Sequence, residues 1–162
     1  SAAYVEFVRG TPLMVQLMFV YFGLGLFVNL PALTAGIIAV SLNSGAYVAE
    51  VIRGGINSVD DGQREAAESL GLNKRDRMRF VIMPQALKNI WPALGNEFIS
   101  LIKESSIVSI IGVTDLIYQL KIVQSDTYRG VAPIVVAMIL YFVMTFSLSR
   151  LLKFYERKFN NG

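Results

Sequence analysis

Glu65-Ala66-Ala67-Glu68-Ser69-Leu70-Gly71, followed by Ile82-Met83-Pro84, is the stretch that organises this chain. Gly71 stands four residues after the second alanine and Pro84 thirteen after the glycine, with Lys74, Arg75, Arg77 and Arg79 between them. Asp60 and Asp61 precede a helix starting near Gly62, where acidic side chains suit the positive helix end. Leu70-Gly71 reads as that helix's C-terminus, with glycine relaxing the turn. Asn73 is placed to cap a second helix over 74–81, and Pro84 is expected to redirect the chain into the next segment. A charged helix–Gly–helix has no role in lipid. It must sit in water, where a stiff surface element with small residues at Ala66 and Ala67 is suited to docking a partner.

On both sides of this insert the chain is apolar. It is 54% hydrophobic yet 17% charged, with a mean hydropathy of +0.51, and the charge is clustered rather than spread along helices, which is the pattern of several membrane spans. Residues 12–29, 32–52, a broken segment 85–113 and 131–152 read as four spans of one all-α transmembrane domain covering 1–162, with the water-exposed insert at about 56–83. Gly23, Gly25 and Pro31 punctuate the first turn, Pro92 interrupts the third segment, and 114–130 reads as a short helix plus loop. The second span is rich in Ala35, Gly36, Ala39, Gly45, Ala46 and Ala49, which let helix backbones approach closely in lipid.

Placing the insert in the cytoplasm assigns Arg9, Arg53, Arg64, Lys74, Arg75, Arg77, Arg79, Lys88, Arg150, Lys153, Arg157 and Lys158 to that side. These are 12 of the 15 Lys and Arg, the asymmetry that the positive-inside rule requires. No basic stripe with interleaved aromatics points to nucleic acid. With no Cys and no His, disulfides, thiolate nucleophiles, Ser–His dyads and the usual zinc sites are excluded, and no metal site is expected. No G-x-x-x-x-G-K-[ST] phosphate loop occurs, so energy from ATP would have to come from a separate subunit.

Polar residues inside the apolar spans form a second constellation. Asn43, Tyr47 and Glu50 fall at i, i+4, i+7 and share one helix face; Glu97, Ser100 and Glu104 fall at i, i+3, i+7 and share another. Lys103 lies about 100° round from Glu104, on the stripe of Asn96 and Ser100. Ionisable groups in a membrane cost roughly 2.5–3.5 kcal/mol each on insertion scales, so they face a cavity or each other. Glu97, Lys103 and Glu104 therefore line a polar path, or pair internally and only lock helices together. Glu50 reads as interfacial and structural, because Arg53 follows within one turn.

The spacing of Glu65, Ala66, Ala67, Gly71 and Pro84 closely resembles the EAA loop of permease subunits from bacterial ATP-driven (ABC) importers, the element that docks the ATPase subunit. Arg9-Gly10-Thr11-Pro12-Leu13, the segment from Leu42 to Glu50 and the segment from Asn96 to Ser106 resemble the polar amino-acid branch of that family, closest to arginine- and glutamine-type members. The likeness covers nearly the whole chain. It implies the MetI-like helical bundle of type I importer permeases, with a further span expected upstream of Ser1. It also implies ATPase coupling through Glu65, Ala66, Ala67, Gly71, Arg79 and Pro84, and it adds Thr11 and Gln16 as candidates to the substrate path read above from Glu97, Asn43, Tyr47, Ser100, Lys103 and Glu104. The implied partners are two ATPases that bind ATP and Mg, an external amino-acid-binding protein, a second permease subunit (homo- or heterodimer) and the lipid of the bacterial cytoplasmic membrane. No cofactor is expected in this chain, which is not itself a catalyst. Metal, sulfate and methionine permeases also carry EAA loops. A secondary transporter or channel would not need the insert, and a scaffold would tolerate apolar replacement of the buried charges.

Overall fold

The computed structural model describes the backbone of residues 2–160 and the side chains of residues 2–156. Arg157 and Lys158, counted above on the cytoplasmic side, have side chains outside the described residues. All regular structure among the described residues is helical: α1 (Ala2–Arg9), α2 (Leu13–Met18), α3 (Ala32–Asn57), α4 (Asp61–Ser69), α5 (Lys74–Asp76), α6 (Met83–Glu104), α7 (Leu116–Thr127) and α8 (Val131–Asn160). A π-helical turn over Phe19–Gly23 extends α2, another over Arg77–Ile82 joins α5 to α6, and a 3₁₀ segment over Ser105–Ile111 extends α6.

Two helices are long and apolar enough to cross a membrane alone, Ala32–Asn57 and the Val131–Glu156 part of α8. A third crossing is available if Lys74–Ile111 and Leu116–Thr127, bent by 53° at their junction, form one broken span. The segment expected to span from 12 to 29 is helical over Leu13–Gly23 and for two residues more, Leu24 and Gly25. Together they rise about 20 Å, two thirds of a ~30 Å hydrocarbon core. Gly23 and Gly25 weaken the helix where it ends.

Pro84 and Pro92 do not act as expected. The helix from Lys74 runs through Pro84 into α6, and Pro92 lies inside α6. A proline leaves the carbonyl four residues back without its donor and crowds it. The widened turn over Arg77–Ile82 lies just before Pro84, the kind of register change that accommodates a ring without ending the helix.

Small residues set the packing. α3 and α6 run antiparallel, with Gly55 against Ile90 at one end and Gly36 against Val108 at the other. A Cβ built at Gly36 would lie 3.0 Å from Val108 Cγ1, and one at Gly55 would overlap Ile90, so only glycine allows this approach. Leu17 of α2 and Val20 of the π-helical turn after it bury against Ala35, Ala39 and Ile111 in one apolar cluster; Val59, Ile82, Ala86 and Ile90 form a second under the insert. α8 touches α6 through Leu152 beside Gly95, and most of its apolar surface, including Met138, Phe142 and Phe146, is exposed.

Candidate functional site

Most of the residues singled out by sequence fall in two regions, the insert and a pocket between α1, α2, α3 and the end of α6. In the insert, the Asp60 carboxylate accepts the Gly62 N–H and caps α4. The helix stops in a left-handed turn at Gly71 (φ +78°). There the Leu72 N–H bonds the Ala67 carbonyl at 3.1 Å and the Gly71 N–H bonds that of Glu68 at 2.9 Å. This pair of bonds is the glycine-dependent C-cap expected from Leu70-Gly71. Asn73 caps the next helix by accepting from the Arg75 and Asp76 N–H groups, both at 3.0 Å.

The two alanines of the motif differ. Ala67 is buried, whereas Ala66 and Glu65 are exposed beside the exposed Leu70. Ala67 therefore fixes α4 to its own subunit, and Glu65 and Ala66 present the open face. Arg77 bridges to Glu68 at 2.6 Å across the Gly71 turn. Arg79 stacks over the exposed Phe80 at 5.4 Å, and Pro84 is exposed at the start of α6.

The pocket is an open concavity of about 540 Å³ whose lining includes Arg9, Thr11, Asn43, Tyr47, Glu104 and Ile107. It forms because α1 ends at Arg9 and the chain bends through Gly10-Thr11-Pro12 into α2. A hydrogen-bond chain holds the bend. The Thr11 hydroxyl donates to the Phe7 carbonyl at 2.9 Å. Gln16 Nε2 donates to Thr11 Oγ1 at 2.8 Å and reaches back to the Val8 carbonyl at 2.7 Å. Asn43 Nδ2 donates to Gln16 Oε1 at 3.0 Å. Asn43 is 4% exposed, and burying an amide at mid-helix is favourable only with such partners. Gln16 is thus a strut beneath the pocket, and Thr11 and Asn43 are its floor.

Arg9 brings a cation to the lining, and Glu50 and Arg53 stand behind it. Arg9 lies 5.6 Å from the Tyr47 ring centroid and 3.5 Å from the Glu50 carboxylate, while Arg53 also bonds Glu50. Two guanidinium groups therefore share one carboxylate, leaving this cluster net positive. Glu104, at the end of α6, adds a carboxylate to the lining. The antiparallel α3–α6 register puts Glu104 level with the middle of α3, where Asn43 is the twelfth of 26 residues.

The structure therefore brings Asn43, Tyr47, Thr11 and Glu104 together and leaves Glu97, Ser100 and Lys103 outside the pocket lining. Glu97 and Ser100 are half-buried on α6 and Lys103 is exposed. Among the described residues, Lys103 forms no ion pair with Glu97 or Glu104. Arg9 is the pocket residue that pattern reading passes over. Its signal was there: an arginine directly before a Gly-x-Pro break, opposite the Asn43–Tyr47–Glu50 face.

Over residues 1–161 the chain matches the family described as binding-protein-dependent transport system inner membrane component. It is 46% identical over 157 residues to a putative glutamine transport system permease protein of Rickettsia bellii, covering 96% of this chain and 72% of that protein. It is 44% identical over 161 residues to the arginine transport system permease protein of Bacillus subtilis, covering 98% and 74%. The solved structure of an amino acid ABC transporter with histidines superposes with a TM-score of 0.92 at 56% identity, over 97% of this chain and 74% of that one. The all-α bundle built around an exposed, glycine-capped insert is thus the importer-permease fold, and the chain belongs to the inner membrane component family of binding-protein-dependent transport systems.

Proposed function

We propose that this chain carries polar L-amino acids through the bacterial cytoplasmic membrane as the permease of an ATP-driven importer, docking a separate ATPase through Glu65, Ala66, Gly71 and the Arg79 side of the insert. The observation that carries the substrate reading is the pocket. Its lining holds one cation, Arg9, and one carboxylate, Glu104, together with the buried Asn43 amide and the Tyr47 ring. An amino acid stripped of water needs a partner for its carboxylate and one for its ammonium, and this arrangement offers both. Arg9 receives the carboxylate and Glu104 the ammonium; Asn43 and Thr11 add neutral hydrogen bonds. The glutamine and arginine systems to which the two relatives belong support the substrate class. ATP and Mg belong to the ATPase partner, and an external binding protein delivers the substrate. Transport proceeds by alternating access, in which each ligand shifts the balance only as far as it binds one packing better.

The test is uptake of labelled glutamine and arginine into proteoliposomes holding the permease, its ATPase and its binding protein. A charged hydrogen bond contributes about 1.5–3 kcal/mol. Glu104→Gln is therefore expected to lower uptake of both substrates at limiting concentration by about 10- to 100-fold, with basal ATP hydrolysis retained. Wild-type uptake of both by Glu104→Gln would move the site elsewhere.

A further inference from the structure

α4 is tied to the chain that follows it by the Arg77–Glu68 bridge and by Gln85 Nε2 donating to Gln63 Oε1 at 3.3 Å, but its hold on α3 is weak. Ala67 is its one buried residue among those described, and it joins α3 through only Ser58-Val59-Asp60. A push on the exposed Glu65–Ala66 face could pivot α4 about that connection instead of moving α3. Arg64 closes the pivot. Its Nη2 donates to the Ile56 carbonyl at 2.8 Å. That carbonyl is among the last four of α3, which have no partner within the helix, and a guanidinium there also meets the negative helix end. Nη1 lies 3.7 Å from Asp61, and the side chain is 33% exposed, so the group is held and partly shielded from water. α6 joins the same knot: Asn89 Nδ2 donates to Ser58 Oγ, and Ser58 Oγ donates to the Gly55 carbonyl, both at 2.8 Å.

We propose that Arg64 is the positioning residue of energy coupling: by binding the terminal carbonyl of α3 it makes α4 and α3 move as one body, so that displacement of α4 reaches Asn43 and Tyr47. From Ile56 to Tyr47 is about 14 Å along a continuous helix, and Arg9 is tied to that same helix through Glu50. The inference rests on α4 docking the ATPase, and it assigns to Arg64 a role distinct from docking. Arg64 contacts no substrate; it acts through α3.

The experiment uses the complete complex of permease, ATPase and binding protein in proteoliposomes. It reads amino acid taken up per ATP hydrolysed, basal ATP hydrolysis, and cross-linking of the ATPase to a cysteine at Ala66. Arg64→Met keeps the aliphatic stem and removes the donors; Arg64→Lys returns a donor. Coupling free energies between sites correspond to about fivefold effects at their low end. Arg64→Met is expected to lower uptake per ATP at least ~5-fold while cross-linking and basal hydrolysis stay at wild-type values, and Arg64→Lys is expected to recover most of the loss. A wild-type ratio in Arg64→Met overturns the proposal while leaving docking intact. A parallel fall in cross-linking also overturns it, because Arg64 would then belong to the docking face. Failure of the Ala66 cysteine to cross-link when Arg64 is present sinks the docking reading itself, and the proposal with it. Should Arg64→Met fail to assemble, Arg64→Gln takes its place under the same outcomes.

Discussion

Substituting Gly71 isolates what the turn between α4 and α5 contributes. Its φ of +78° lies in the left-handed region, and a Cβ there would meet no atom within 4 Å. Steric crowding by neighbours is therefore absent, and the cost of a side chain is purely that of the backbone conformation. For an ordinary L-residue the left-handed region costs roughly 1–2 kcal/mol, and a β-branched residue sits at or above the upper end. At about 2 kcal/mol the native turn loses some thirtyfold in population relative to alternatives, since 1.4 kcal/mol is tenfold. The two capping bonds from Gly71 and Leu72 to Glu68 and Ala67 open with it, and α4 loses its orientation against α5. Substrate-stimulated ATP hydrolysis by the reconstituted complex should then fall in the order Gly71→Asn, Gly71→Ala, Gly71→Val, with Asn the mildest because it tolerates φ > 0. Spans and insertion should be unaffected. Wild-type stimulation in Gly71→Val would refute the docking role, and equal damage from Asn and Val would refute the conformational argument.

Three further outcomes are expected. Single cysteines at Asn73 and Ser125, both exposed, should differ in right-side-out vesicles: an impermeant thiol reagent should label Ser125 and not Asn73, and the reverse pattern would invert the topology. Gly55→Val should lower the thermal unfolding temperature of the detergent-solubilised complex, because the new Cβ overlaps Ile90 and overpacking costs about 1–3 kcal/mol; an unchanged temperature would mean that α3 and α6 separate easily there. Glu97→Gln should reduce uptake of arginine more than that of glutamine, since Glu97 lies two helical turns from Glu104 on the same face of α6 and favours a cationic side chain on its way inward; equal uptake of both at wild-type rates would make Glu97 structural.

The insert was legible because its signals are local. Asp60, Gly71 and Asn73 act on backbone groups within three residues of themselves, so their types and spacing suffice to place two helices and a turn. The prolines were misleading for the opposite reason. A proline's local rule ends a helix, but whether a widened turn absorbs it depends on what packs around, and Ile82, Ala86 and Ile90 hold the helix against Val59 through the Pro84 region. The first segment shows the same limit of a local rule: 18 apolar residues meet a length criterion, yet the helix gives way to a turn just past Gly25.

The pocket lay between these cases. Helical periodicity found Asn43 and Tyr47 on one face and Glu104 on another, but it cannot say which faces meet. The register of α3 on α6 decides that, and it is set by two glycine contacts, at Gly36 and Gly55, that no local pattern reveals. The same long-range fact puts Arg9, and not Lys103, in the lining of the pocket. Lys103 was singled out as an ionisable group within an apolar segment, which must face a cavity or another charge. Yet a residue next to Glu104 on a helix points about 100° away, whereas the bend at Gly10-Thr11-Pro12, pinned by Gln16 to Asn43, carries Arg9 onto the Tyr47 ring from a different helix. A charge partner in a membrane bundle is thus better sought at a helix break facing a polar stripe than at the neighbouring position of the same helix.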